Sequence, residues 1–442
     1  MNLKWKSKLV VLLLATLVSF VAYSQGNNLD DLIPDELPAA GAPAGAKAAE
    51  APKAAEAPKP AEAPKPAPKE EVILEELPSH RLLFTNIRSL GEEFKNVDRV
   101  AFSPDGKSLL VDRMRPGRRF ELLEIPFERS GEVREISSQK SNSSRNFHNG
   151  SGVWLPDGRG VVFVAQNEGI RDFVNSIPSI GHQANLWFAD AQSRNFTQLT
   201  RVYGSLTRPS GVSMPTFSPD GKYLFWCGAD GARREQSIWG GRALFVGSFE
   251  LSGSSARLTG VKSFKPGKMH DFYESYGFSP DGKNLLFSAV MNEDVPWYMM
   301  DICTMSPDGT KVTNLTSSPG VWDRYASYSP KGNKITWSSS SGMRIAYMGI
   351  GGSRWQLELR SELWMMRSDG REWKKLTNFN RRGSVESRLV NGLRTFIGTS
   401  AWHPDGNKLA FVVYYDVPGP GVGYESCVFV GDLIEGISVD GR

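Results

Sequence analysis

Cysteine and histidine are scarce, at three and five residues in 442. Cys227, Cys303 and Cys427 are an odd number in separate parts of the chain, which excludes a dense disulfide framework and leaves free, buried thiols as the expectation. No two histidines stand at a ligand-like spacing such as His-x-x-x-His. His148, His182 and His270 are expected as solvated loop residues, and no metal or other cofactor is expected. Gly-x-Ser-x-Gly is also missing. Gly211-Val212-Ser213, Gly277-Phe278-Ser279, Gly398-Thr399-Ser400 and Gly436-Ile437-Ser438 all lack the closing glycine, which excludes the nucleophile elbow of an α/β-hydrolase domain. Gly419 to Gly423 fits no phosphate-loop pattern. No dense Lys/Arg stripe is present, so no nucleic-acid partner is expected.

Only one long apolar run exists, Leu9 to Ala22, behind Lys4, Lys6 and Lys8 and before the small-residue exit Ala22-Tyr23-Ser24. It is shorter than the roughly 20 residues of a membrane helix. Residues 1–24 therefore read as a cleavable secretory signal, with an uncleaved anchor as the alternative. No cysteine follows the run to accept a lipid. Residues 25–80 contain "AKAAEAPKAAEAPKPAEAPKPAPK", a linker of Ala, Pro, Lys and Glu with too little apolar surface to fold. The formal charge of +4 hides a division: the signal carries +3 and the linker −6, which leaves +7 on residues 81–442.

Residues 81–442 are built from a repeat. "FSPDGKSLLV" from Phe102 returns as "WLPDGRGVVFV" from Trp154, "FSPDGKYLFWC" from Phe217, "FSPDGKNLLFS" from Phe278, "YSPKGNKITWS" from Tyr328 and "WHPDGNKLAFV" from Trp402. Each Pro-Asp-Gly is a hairpin turn: Pro presets φ, Asp bonds its own backbone, and Gly supplies the positive φ. A second hairpin follows in each repeat and ends in a Leu-Thr-like pair, as in "LWFADAQSRNFTQLT" and "ELWMMRSDGREWKKLT"; Ser306 to Gly309 belongs to this second hairpin. Starts are 52, 63, 61, 50 and 74 residues apart. Four strands at such a period make a propeller blade. The expected fold is all-β, a six-bladed β-propeller of four-stranded blades. Ring closure is expected from Leu82 to Thr85 lying beside Cys427 to Val430 in the sixth blade, with Ile437 to Val439 as the alternative outer strand.

These motifs, an aromatic before Ser-Pro-Asp-Gly and a later Leu-Thr, resemble the repeat of the TolB family over nearly all of residues 81–442. The family's small α/β domain between signal and propeller has no counterpart here, where only the Ala/Pro tether stands. The resemblance implies an exported, periplasmic or secreted protein of the cell envelope that docks a protein or peptide partner without catalysis. A polysaccharide lyase or hydrolase with a site over the central channel, and a structural component of an envelope complex, stay open. A monomer is expected, with no transmembrane segment after signal cleavage.

The long connections, second to third strand and blade to blade, share one face, and function is expected there. Phe173, Trp239, Trp297, Tyr298, Tyr347, Trp355, Tyr414 and Tyr415 fall in them, with Arg171, Arg233, Arg234, Arg242 and Arg354, residue types that dominate binding hot spots. Asp98, Glu274 and Asp323 precede innermost strands and are expected to ring the channel mouth. Arg113, Arg115, Arg118 and Arg119 read as a solvated charged loop. The segment from Leu29 to Leu37 carries Leu29, Leu32, Ile33 and Leu37 in an acidic stretch, the pattern of a motif that orders on a partner; the TolB resemblance implies partner contact at that place.

Overall fold

The computed structural model describes residues 82–115, 119–128, 131–137, 147–168, 176–192, 195–204, 208–230, 240–267, 271–292, 295–345, 358–417 and 424–435. The expected signal, the linker and the segment Leu29 to Leu37 lie outside them. Strand β1 (Leu82–Ser89) comes first. Blade 1 follows with β2 (Val97–Phe102), β3 (Ser108–Arg115), β4 (Arg119–Pro126) and β5 (Arg134–Glu135). Blade 2 has β6 (Asn149–Trp154), β7 (Gly160–Gln166), β8 (Ala184–Asp190) and β9 (Phe196–Gln198). Blade 3 has β10 (Ser213–Phe217), β11 (Tyr223–Ala229), β12 (Arg242–Ser252) and β13 (Ser255–Phe264). Blade 4 has β14 (Tyr273–Phe278), β15 (Leu285–Ala289), β16 (Asp301–Met305) and β17 (Thr313–Asn314). Blade 5 has β18 (Asp323–Tyr328), β19 (Lys334–Ser339), β20 (Glu362–Arg367) and β21 (Lys374–Lys375). The last strands are β22 (Thr395–Trp402), β23 (Lys408–Asp416) and β24 (Tyr424–Glu435). Six four-stranded antiparallel sheets result, and the sixth is ordered β1-β24-β23-β22.

The repeat is written into the turns. In blade 1 the Ser103 hydroxyl donates to Asp105 Oδ1 at 2.7 Å and accepts the Ser108 N–H at 3.0 Å, while Asp105 accepts the Lys107 N–H at 3.1 Å. Gly106 closes the loop at φ 74°, where a side chain would be strained. Blades 3 and 4 repeat this network with Ser218 and Asp220, and with Ser279 and Asp281. Blade 5 carries Lys331 in place of the aspartate, and there Ser329 turns its hydroxyl to Asn333 Oδ1 at 3.1 Å instead. The acids of the repeat are thus turn-builders, and the hydroxyls beside Asp105, Asp220 and Asp281 hold those carboxyls below their usual range.

The Leu-Thr pairs bind the second hairpin. The hydroxyls of Thr200, Thr316 and Thr377 accept the N–H groups of Leu186, Ile302 and Leu363 at 2.9, 3.0 and 2.9 Å, and Ser137 does the same for Leu122 in blade 1 at 3.2 Å. A short fourth strand is therefore held by a side chain where a backbone ladder of two or three residues is weak.

Closure occurs as expected in topology and differs in register. Leu82 to Thr85 face Glu435 to Asp432, and Arg88 and Ser89 face Val430 and Phe429. Both strands run longer than their sequence patterns indicated, and a bulge between Thr85 and Arg88 shifts the pairing. Ile437 to Val439 lie outside the described residues. Between blades, apolar faces pack on one another, for example Leu155, Phe188, Leu224, Trp226 and Phe249 between blades 2 and 3. Cys227, Cys303 and Cys427 are free and buried within these layers.

Candidate functional site: an axial cavity open at the short-turn face

The six innermost strands run in parallel around the axis, so one repeat position makes one ring. Phe102, Trp154, Phe217, Phe278, Tyr328 and Trp402 end them, and Pro104, Pro156, Pro219, Pro280, Pro330 and Pro404 follow two residues later. All twelve line a cavity of about 510 Å³ at the short-turn end of the axis. Deeper in, the lining becomes polar, with Arg99, Asp112, Tyr276, Tyr325 and Thr399.

One step further along the strands the axis is closed. Asp98, Glu274 and Arg324 share the position four residues before each terminal aromatic, and all three are buried. Arg324 Nη1 pairs with Glu274 Oε1 at 3.1 Å, and its guanidinium stands over the rings of Trp322, Phe272 and Trp297 at 5.6, 5.7 and 6.0 Å. Tyr276 donates to Glu274 Oε2 at 2.9 Å. Tyr414 donates to Asp98 Oδ1 at 2.5 Å, and burial raises both its phenol and the Asp98 carboxyl. Beyond them an apolar cluster that includes Ile177, Ile180, Trp297, Met299, Leu359 and Phe396 fills the loop-rich side.

This arrangement corrects several expectations. Trp297 and Tyr298 are 3% and 2% exposed and meet edge-to-face at 5.6 Å, so they are core residues that fix their loop to the ring and present no surface to a partner. Tyr414 is equally buried, stacked on Phe396 at 4.4 Å. Arg242 is buried as well and donates to the Ile180 carbonyl at 3.1 Å and to Ser213 and Cys227. Tyr415 stays half-buried, with its hydroxyl on Glu425 at 3.3 Å. Phe173, Trp239, Tyr347 and Trp355 lie outside the described residues, as do Arg118, Arg171, Arg233, Arg234, Arg354 and His270. His148 and His182 are buried, not solvated; His148 Nδ1 accepts the Phe120 N–H at 3.3 Å. Arg113 is ion-paired with Glu121 at 2.9 Å.

Asp98 and Glu274 sit within their strands and below the cavity floor rather than at its mouth. Asp323 is one residue out of register with them. A strand alternates its faces, so this offset turns Asp323 away from the axis and gives Arg324 the axial position. Asp323 instead accepts from Trp337 Nε1 at 3.0 Å and Ser318 Oγ at 2.5 Å, and burial pushes it up to about 6.

Arg99, Tyr325 and Thr399 share the next position along their strands, and sequence reading missed them. The signal was the alignment itself: three residues before each terminal aromatic stand Arg99, Ser151, Met214, Ser275, Tyr325 and Thr399. Among the described residues no group of three or more His, Cys, Asp or Glu is placed to hold a metal ion. No helix of the described residues is long and apolar enough to cross a membrane.

No protein-family model and no curated protein sequence matches this chain. Solved structures do. TolB from Acinetobacter baumannii is similar at 14% identity and a TM-score of 0.41, over 78% of this chain and 64% of that one. An oligogalacturonate lyase from Vibrio parahaemolyticus is similar at 10% identity and 0.42, over 80% and 96%. The acylaminoacyl peptidase of Pyrococcus horikoshii is similar at 12% and 0.41, over 73% and 43%. Likenesses of this degree carry no weight for activity or partner. The six-bladed ring rests on the strand pairing of this chain itself.

Proposed function

We propose that this propeller is a binding module of the cell envelope that receives a protruding segment of a protein partner in its axial cavity, from the short-turn face. The observation that carries the reading is the cavity, about 510 Å³, with one aromatic and one proline from every blade at its mouth and a few polar groups at its floor. Walls that combine apolar rings with convergent polar groups, in a volume within roughly 300–1,000 Å³, are compatible with a ligand site. A rigid ring of six turns also offers a partner a preformed mouth, which lowers the ordering cost of docking. The sequence pattern of a signal followed by a long tether supports export and a reach across the envelope.

Photo-crosslinking locates the docking face. A photoreactive residue placed at Pro219 or Pro330, both exposed at the mouth, should capture a partner peptide in cells, and one at Arg344 or Arg360 should not. Capture confined to the Arg344 and Arg360 positions refutes the assignment and returns function to the loop-rich face.

A further inference from the structure

Resting on the reading of the axial cavity as the binding site, we infer that its floor takes a carboxylate of the inserted peptide, held by Arg99, Thr399 and Tyr325. These residues occupy one position on β2, β22 and β18, and β22 packs between the other two strands, so the three line one sector of the floor. Among the described residues the Arg99 side chain makes no hydrogen bond and no ion pair within 4.0 Å, although it is half-buried and interacts at longer range with Asp112 and Asp98. Thr399 is 9% exposed, and its Oγ1 is buried without a hydrogen-bond partner. A guanidinium with no direct side-chain partner and a buried hydroxyl left unsatisfied are both donors in this wall, and a carboxylate is the acceptor-only group that satisfies donors together.

Arg99 is the basic side chain of this sector, and the buried carboxyls of Asp112 and Asp98 are its electrostatic neighbours. Glu274 and Arg324 neutralise each other below the floor. Asp112 lies directly across the ladder from Arg99 and is attracted to its guanidinium without an ion pair; its Oδ2 is engaged by the Ser151 N–H at 2.6 Å, and burial outweighs both and pushes this carboxyl up to about 7. Asp98 is likewise raised by burial and bonded to Tyr414. The mouth combines the aromatic and proline rings with the hydroxyl residues Ser103, Thr216, Ser218, Ser327, Ser329 and Ser400, which suits a peptide with apolar side chains, a polar backbone and one anionic end.

The test compares acetyl-Pro-Leu-Phe bearing a free carboxylate with the same peptide as its C-terminal amide, and with glucuronate, by ligand-observed NMR on the full chain. The free acid should bind about tenfold to a hundredfold tighter than the amide, the range for hydrogen bonds to a charged group. Arg99→Gln should erase that preference. Thr399→Val, which removes only an orphaned hydroxyl and keeps the shape, should weaken the acid about threefold and leave the amide unchanged. Equal binding of acid and amide, or a preference that survives Arg99→Gln, overturns the carboxylate inference while the cavity still stands as the site. Tighter binding of glucuronate than of the peptide acid overturns the peptide assignment. Binding of neither peptide also overturns the inference, and crosslinking from Pro219 and Pro330 then decides separately whether the cavity is the docking face. Should Arg99→Gln not fold, the acid-to-amide ratio in the native chain and the Thr399→Val result still decide.

Discussion

Thr377 donates its hydroxyl to Glu362 Oε2 at 2.7 Å and accepts the Leu363 N–H at 2.9 Å. The same bridge recurs as Thr316 with Asp301 and Ile302, and as Thr200 with Asn185 and Leu186. Each hydroxyl joins the fourth strand to a buried polar residue that opens the third. Glu362 is almost fully buried and also accepts the N–H groups of Phe379 and Asn380 at 3.0 and 2.8 Å. Thr377→Val keeps the shape and strands both the Leu363 N–H and one carboxylate interaction. Unpaired buried groups cost about 1–3 kcal/mol each, so urea unfolding should show a loss of roughly 2 kcal/mol or more. A loss below about 0.5 kcal/mol would mean that the bridge contributes little.

The bridge also marks what was legible. The Ser-Pro-Asp-Gly turn is a local device whose residues lie within a few positions of their partners, and the Leu-Thr pair recurs at the end of each second hairpin, so blade number and strand order could be read directly. The polar residue opening the third strand was visible too, as Asn185, Asp301 and Glu362 before an apolar run, but its threonine partner lies 15 residues away, and nothing local in the sequence ties the two together. Axial positions failed for another reason. Bulges in the inner strands, such as that between Arg324 and Ser327 with Tyr325 at φ 56°, break the simple count of two, and a slip of one residue exchanges Asp323 for Arg324. Loop aromatics failed because Trp297 has the same neighbours in sequence whether it faces solvent or core.

Asp112 makes stability depend on pH. Its carboxyl titrates near 7 in the fold because burial disfavours the charge, against roughly 3.9 in an unfolded chain. The folded state therefore holds a proton that the unfolded state has lost between these values, and stability falls as pH rises from about 4 to 7. Asp112→Asn keeps an oxygen for the Ser151 N–H and removes the charge. It should match the native chain at pH 4.5 and exceed it at pH 8 by a few kcal/mol in chemical denaturation. Parallel curves across that range would show that Asp112 is not the titrating group.

Closure of the ring depends on a close approach between Gly431 and Phe84. A Cβ at Gly431 would come within 2.3 Å of the Phe84 ring, which also packs against Phe411 at 5.9 Å. Gly431→Ala should destabilise the fold by about 1–3 kcal/mol through overpacking. Phe84→Leu should recover part of that loss in the double variant, since contacting residues are not additive. Strict additivity would indicate that β1 is not held on β24 through this contact.

Trp297 separates the two faces as candidates for docking. Its ring lies against Phe272 at 4.7 Å and Tyr298 at 5.6 Å, beneath the loop-rich side. Truncating a buried tryptophan costs about 3–5 kcal/mol, so Trp297→Ala should lower the unfolding midpoint sharply, and any loss of partner capture in that variant would report damage to the fold. Trp297→Phe discriminates, because it keeps an aromatic ring in the core and leaves the outer surface unchanged. Partner crosslinking through Pro219 and the thermal midpoint should be measured on the same Trp297→Phe preparation. Capture should stay at the native level with a modest fall in midpoint. Capture lost while the midpoint holds would place Trp297 in the docking surface and reverse its assignment to the core.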